Sequence, residues 1–267
     1  MLRVTQSLSM PGGERNEDLI WTGDTVLAVL DGATSLIPSR FDACWFTDRF
    51  IRAFREELER GKTLPDSVNR ALVRIRKDYA GEGEGENDGI FPSASGIFVQ
   101  EKEDRLLVLS IGDCEGLFFL DDGSCVEIYD DTVERLDNGV LRRCLELRER
   151  TGGSIPEILR SPEIRARLIE NRKKMNRPDG YRILSPGMPP CGPEDLKSLP
   201  ARRVRRIVLF SDGFRAVRKE FYQPSFSLEA LYEQLRRQER EDPAFLRIPR
   251  FKPGDDASAL VAELAEA

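Results

Sequence analysis

The chain contains no histidine in its 267 residues. That absence excludes Ser-His-Asp and Cys-His nucleophilic arrangements, and every metal site that depends on imidazole. Cysteine is sparse, with Cys44, Cys114, Cys125, Cys144 and Cys191 scattered and no CxxC pair among them. An odd count without close pairs suggests neither a zinc ribbon nor a disulfide framework, so these thiols read as reduced and structural. Long apolar runs are missing too, since none approaches the roughly 20 residues needed to span a bilayer. The opening MLRVTQSLSMPGG lacks the apolar h-region of a secretory signal, so the expectation is no membrane partner and a cytoplasmic address. Nor is there a positive charge excess. At a net −6 the chain suits nucleic acid poorly, because non-specific binding there draws on cationic contacts to phosphate. The basic clusters Arg202–Arg206 and Arg172–Lys174 read as solvated strand and helix ends.

What is present, 40% hydrophobic and 33% charged residues, suits one large globular domain over residues 1–267. The first third reads strand, strand, then two helices. Val26–Leu30 is a short apolar run expected of a strand buried on both faces. A helix over 42–60 carries Phe46, Phe50 and Phe54 at i, i+4, i+8 and is stopped by Gly61. A second begins near Pro65, with Val68, Leu72, Ile75 and Tyr79 on one stripe. The acidic, Gly-rich residues 81–89 lack the G-K-[ST] ending of a phosphate-binding loop and read as a connecting loop. Ala94–Gln100, Leu106–Ile111, Gly116–Leu120 and Cys125–Tyr129 look like a strand meander, with a tight turn at 121–124. A helix over 133–150 follows, with Leu136, Val140, Leu141 and Leu145 at helical spacing. Next comes a charged helical stretch over 154–176, interrupted at Pro162. A strand at Val204–Phe210, a helix at Leu228–Arg240 and a strand near Ser258–Leu264 complete the chain. Grouped strands with helices around them suggest stacked antiparallel sheets rather than regular βαβ alternation.

Four of these strands adjoin an aspartate in a Gly-containing turn: Asp31-Gly32, Gly112-Asp113, Ser211-Asp212-Gly213 and Gly254-Asp255-Asp256. A strand end followed by Gly holds a carboxylate on rigid backbone and lets a ligand approach the main chain. Asp-Gly is also a common turn dipeptide, so each alone has a duller reading. Converging carboxylates repel unless a positive charge sits among them. With histidine absent, the natural counter-charge is a hard cation with oxygen ligands, Mg²⁺ or Mn²⁺. Two such ions about 3.5–4 Å apart can share a water, lower its pKa and aim it at phosphorus. Structural calcium is the alternative, but no D-x-D-x-D-G loop is present.

The ordered set Asn16-Glu17-Asp18, Asp31-Gly32, Ser93-Ala94-Ser95-Gly96, Gly112-Asp113, Ser211-Asp212-Gly213 and Asp255-Asp256-Ala257-Ser258 resembles the signature of metal-dependent type 2C protein serine/threonine phosphatases. The resemblance spans nearly the whole chain. It implies an α+β, four-layer αββα sandwich, two antiparallel sheets flanked by helices, with a binuclear Mg²⁺ or Mn²⁺ site at one end between the sheets. Carried over by position, Asp31 bridges both ions and the Gly32 carbonyl completes the first. Asp212 and Asp255 hold the second, while Glu17 and Asp18 act mainly through bound waters. Asp113 matches the position of a third, weaker ion, and Asp256, where many relatives carry Asn, supports its neighbours without touching metal. The implied partner is a phosphoprotein substrate.

Three departures stand out. Relatives often place a His two residues after the bridging Asp, where this chain has Ala33. The usual phosphate-binding Arg position is occupied by Gly13, with Arg15 close enough to substitute. Residues 130–200 fit the family poorly and read as a divergent helical insertion. Ala33 and Gly13 favour a second reading, a regulatory or scaffold module with the phosphatase fold and little turnover. The retained carboxylates count against it, because a dead site has no use for several destabilising buried charges.

Overall fold

The structure is a computed structural model in which residues 1–36, 39, 41–81 and 90–264 are described. Strands β1 (Leu2–Met10), β2 (Leu19–Thr22) and β3 (Val26–Gly32) precede helices α1 (Ala43–Glu59) and α2 (Leu64–Gly81). Then come β4 (Ala94–Lys102), β5 (Arg105–Ile111), β6 (Glu115–Leu120) and β7 (Cys125–Ile128). Helices α3 (Thr132–Thr151), α4 (Ile155–Leu159) and α5 (Pro162–Arg172) lead to β8 (Leu196–Pro200) and β9 (Val204–Phe210). A 3₁₀ stretch Asp212–Tyr222, α6 (Leu228–Arg240) and β10 (Ala257–Leu264) finish the order. Two antiparallel five-stranded sheets result, β1-β10-β9-β6-β7 and β2-β3-β4-β5-β8.

Alternation along the strands sorts side chains into three apolar layers. Val26, Ala28 and Leu30 of β3 pack with Phe46, Phe50 and Phe54 of α1 and with Val68, Leu72 and Ile75 of α2. The three Phe side chains are fully buried, each worth about 2–3 kcal/mol of transfer free energy. Leu27 and Val29 face the other way and meet Ile207, Leu209, Leu260 and Ala262 between the sheets. On the far side, Val208, Phe210, Ala259 and Val261 pack under Leu231 and Leu235 of α6. Helix, sheet, sheet, helix is the four-layer order that the family resemblance implies.

Local signals account for most element ends. Asp42 caps α1 by accepting from the Trp45 N–H at 2.8 Å, and Gly61 beyond its end takes φ +74°. Several expectations are corrected. The N-terminal region holds three strands, not two. The meander is divided: β4 and β5 lie in one sheet, while β6 and β7 lie in the other. The crossing runs through Gly112, at φ +82°, where a Cβ would fall 2.3 Å from the Ser95 hydroxyl. Pro162 starts α5 rather than interrupting a helix, with Ser161 capping it and Ser154 capping the separate α4. Leu145 of α3 is 41% exposed; Val140 and Cys144 supply the buried face instead. The 81–89 loop lies outside the described residues except for Gly81, which ends α2. Among the described residues, no helix is long and apolar enough to cross a membrane.

Candidate active site

At one end of the inter-sheet space, carboxylates from separate strand ends converge. Asp31 shares the inward parity of Leu27 and Val29 on β3, and its Oδ2 lies 3.4 Å from the Asp212 N–H just past β9. Asp18, ahead of β2, accepts from the Ser211 hydroxyl at 2.7 Å, and the Ser258 N–H of β10 donates to that same hydroxyl at 3.0 Å. One serine thus ties together residues 193 and 47 positions apart in sequence. Gly32 is required for close packing, because a Cβ there would lie 2.4 Å from the Glu17 carbonyl.

The electrostatics follow from crowding. Asp31 and Asp212 keep partial solvent contact at the cleft but are closely surrounded by protein. Burial, then the charges of Asp212, Asp18, Asp113 and Asp255, pushes the Asp31 carboxyl well above the usual range. Asp212 is raised likewise by burial and by Asp255 and Asp113, with Arg215 opposing. Asp18 is pushed up to about 7, by burial first and by Asp256 and Asp255, against the hydroxyls of Ser211 and Ser258. Glu17 is raised mainly by burial, and Thr34 donates a hydrogen bond to it.

The other predicted residues are placed as follows. Asp113 is buried, accepts from Ser95 Oγ at 2.6 Å and pairs with Arg215 at 3.3 Å. Asp255 pairs with Lys252 at 2.6 Å, and its backbone carbonyl accepts from Arg236. Asp256 does more than support from a distance: it accepts from the Gly12 N–H at 2.7 Å and the Glu17 N–H at 2.6 Å, fixing the loop that carries Glu17 and Asp18. Arg15 is 71% exposed and pairs with Asp42 at 3.0 Å.

Other residues reach the site without having been singled out by sequence. A cleft of about 250 Å³ runs between Glu134 and Asp137 of α3 and Asp212, Arg215, Lys252 and Asp255. Asp137 is pushed up to about 7, by burial first and then by Asp113, with Arg172 and Arg215 opposing. Arg172, expected as a solvated helix end, instead reaches the Ser93 hydroxyl at 3.4 Å and the Thr34 carbonyl at 3.5 Å. Lys252 and Arg215, three residues from Asp255 and Asp212, were accessible from spacing to those motifs. Asp137 and Arg172 carry no sequence signal, because the docking of α3 and α5 brings them in. A larger cavity of about 640 Å³, between α6 and residues 243–254, does not include this carboxylate set.

Among the described residues, no three His, Cys, Asp or Glu side chains form a ready-made metal cage. The donor chemistry nevertheless fits hard divalent ions. The ligands on offer are all oxygen, and burial, then mutual repulsion, raises several of these carboxyls, a penalty that a cation would relieve. Cys114 beside Asp113 is no nucleophile, since burial and then Asp31 and Asp113 push its thiol well up.

The chain resembles known proteins in the same terms. The Mycobacterium tuberculosis serine/threonine phosphatase PstP/Ppp superposes with a TM-score of 0.59 at 18% identity, covering 99% of each chain. A structure of the PstP catalytic domain in complex with two manganese ions gives 0.58 at 18%, again over 99% of each chain. Staphylococcus aureus Stp1 gives 0.57 at 12%, over 99% of this chain and 96% of that one. At such identities the likeness shows the fold alone. A search of the curated proteins finds no match. The family model described as protein phosphatase 2C matches residues 13–248, most of the chain, stopping just short of Asp255. With its sandwich, its strand-end carboxylates and this match, the chain belongs to the protein phosphatase 2C family.

Proposed function

We propose that this chain is a Mg²⁺- or Mn²⁺-dependent phosphatase of phosphoserine and phosphothreonine in proteins, with water attacking phosphorus in one step. The observation that carries the reading is the meeting of Asp31, Asp212 and Asp18 from three separate segments, with burial and mutual repulsion raising all three carboxyls. Asp31 and the Gly32 carbonyl would hold the first of two ions, and Asp31, Asp212 and Asp255 the second. Glu17 and Asp18 orient waters, and Asp113 serves a third, weaker position. The ions supply the positive charge and Lewis acidity that phosphoryl hydrolysis needs near neutral pH. Arg15 is assigned a phosphate contact at the rim, made on leaving Asp42. We read residues 1–267 as one phosphatase unit, in which the 130–200 segment supplies α3 to the cleft wall and β8 to the edge of the second sheet.

Hydrolysis of an aryl phosphate and a phosphothreonine peptide with Mn²⁺ or Mg²⁺, with and without chelator, tests this for wild type and Asp212→Asn. Expected is metal-dependent turnover that the substitution abolishes; activity indifferent to chelator would overturn it. A second reading, a regulatory module of this fold, draws on the Lys252–Asp255 pair, in which a cation of the chain itself engages a proposed metal ligand. Metal binding by calorimetry without turnover on either substrate would select it.

A further inference from the structure

Resting on that reading, we infer that Lys252 binds the phosphate of the substrate in the cleft through its ammonium, without forming a bond to phosphorus. Its Nζ stands 2.6 Å from Asp255 Oδ1 and 3.4 Å from Thr34 Oγ1, and its side chain lines the cleft with Asp212 and Arg215.

The loop carrying Lys252 is irregular yet tightly braced. Asp242 accepts from the N–H groups of Leu246, Arg247 and Ile248 at 2.9–3.1 Å. Arg250 binds Asp242 Oδ2 at 3.0 Å and the carbonyls of Asp242, Ile248, Glu239 and Pro253 at 2.7–3.2 Å. Lys252 is therefore presented by a fixed backbone, the preorganisation that anion capture requires.

Neighbouring cations have other partners, Arg172 through the Ser93 hydroxyl and the Thr34 carbonyl. Arg215 pairs with Asp113 and Glu115, and Arg15 faces solvent beside Asp42. Arg215 keeps Glu115 even where Asp113 serves an ion, whereas the ion-pair partner of Lys252 is Asp255, itself a proposed metal ligand. Once Asp255 serves a divalent ion, its charge no longer compensates Lys252, and the dianionic phosphate is the anion the reaction brings. Lysine suits that task as a compact point charge with three donors.

The test compares Lys252→Ala, Lys252→Arg and Arg15→Ala at saturating Mn²⁺. Lys252→Ala is expected to raise KM about 10- to 100-fold, with a smaller change in kcat. Inorganic phosphate binding to the Mn²⁺-loaded protein, measured by calorimetry, should weaken by a similar factor. Lys252→Arg should recover part of both, and the Mn²⁺ concentration for half-saturation should stay within about two-fold. Unchanged KM and phosphate affinity in Lys252→Ala, or losses that follow Arg15→Ala alone, overturn the assignment. So does a Lys252→Ala defect cured entirely by more Mn²⁺, which would make Lys252 a partner of Asp255 only. An inert wild type that still binds phosphate through Lys252 would refute the phosphatase reading separately.

Discussion

The floor of the cleft and its roof hold their charged residues by different means. On the floor, Asp31 and Asp212 extend β3 and β9, and Asp18 is tied to them through Ser211. Pairing of Asp31 with Ser95, and of Phe210 with Ala259 and Glu115 two residues before Asp212, anchors those positions, so buried like charges can be held together and their carboxyls rise. Over the roof, α3, α5 and the 242–253 loop contribute Asp137, Arg172 and Lys252. These are held by side-chain bonds and by a small cluster in which Val140, Cys144 and Ile164 meet Phe245. The difference teaches that repulsion is tolerated where strand ends anchor the backbone, and that compensating charge arrives on segments able to be placed around it.

The comparison breaks first on the floor. Asp31→Asn is expected to lower metal-dependent turnover on the order of 10³-fold, while raising the melting temperature of metal-free protein because one repelled charge is gone. Calorimetry and steady-state rates check both; a less stable variant would show that Asp31 is not repelled.

On the roof, Arg250→Ala leaves buried Asp242 unpaired, and a loss of about 3 kcal/mol is expected in urea unfolding. Asp242 gauges the same brace. Burial would raise it, but the N–H groups of Ile248, Leu246 and Arg247 and the Arg250 guanidinium hold it down at about 2. Asp256→Ala sits between floor and roof. It orphans the N–H groups of Gly12 and Glu17 and should destabilise by about 2 kcal/mol, with weaker metal binding as the loop carrying Glu17 and Asp18 loosens.

A smaller effect comes with pH. Asp18 and Asp137 are raised to about 7, and Asp31 and Asp212 are raised as well. Between the ordinary carboxyl range and about pH 7, the folded state then binds more protons than the unfolded state, so stability falls as pH rises. Metal-free protein should therefore melt higher at pH 5.5 than at pH 7.5. Asp137→Asn should flatten that slope, and Mn²⁺ addition should release protons, measurable in buffers of different ionisation enthalpy. Smallest of all, Arg15→Ala should change stability by less than about 0.5 kcal/mol, since its pair with Asp42 is exposed and Asp42 still caps α1.

Much of the floor was legible beforehand. Asp31 was read at the end of the apolar run that forms β3, and β9 and α6 have the bounds that their apolar patterns predict. The split of the meander between two sheets was not legible, because β5 and β6 have equally good strand patterns and only pairing partners separate them. Asp256 was read as a supporting residue, yet its two backbone partners lie 239 and 244 positions away and leave no local trace. Asp137 and Arg172 sit in charged helices where nothing distinguishes them from solvated neighbours.

By itself, the sequence determined most of the secondary elements, the strand-end aspartates and the expectation of a hard-metal site. Its hydrophobic periodicities and its lack of histidine are local or compositional properties. Tertiary structure alone decided which carboxylates crowd together, which cations stand against them, and that Lys252 reaches Asp255 and Thr34. Those outcomes depend on the packing of two sheets and the bracing of one loop, and electrostatic interactions act across space rather than along the chain.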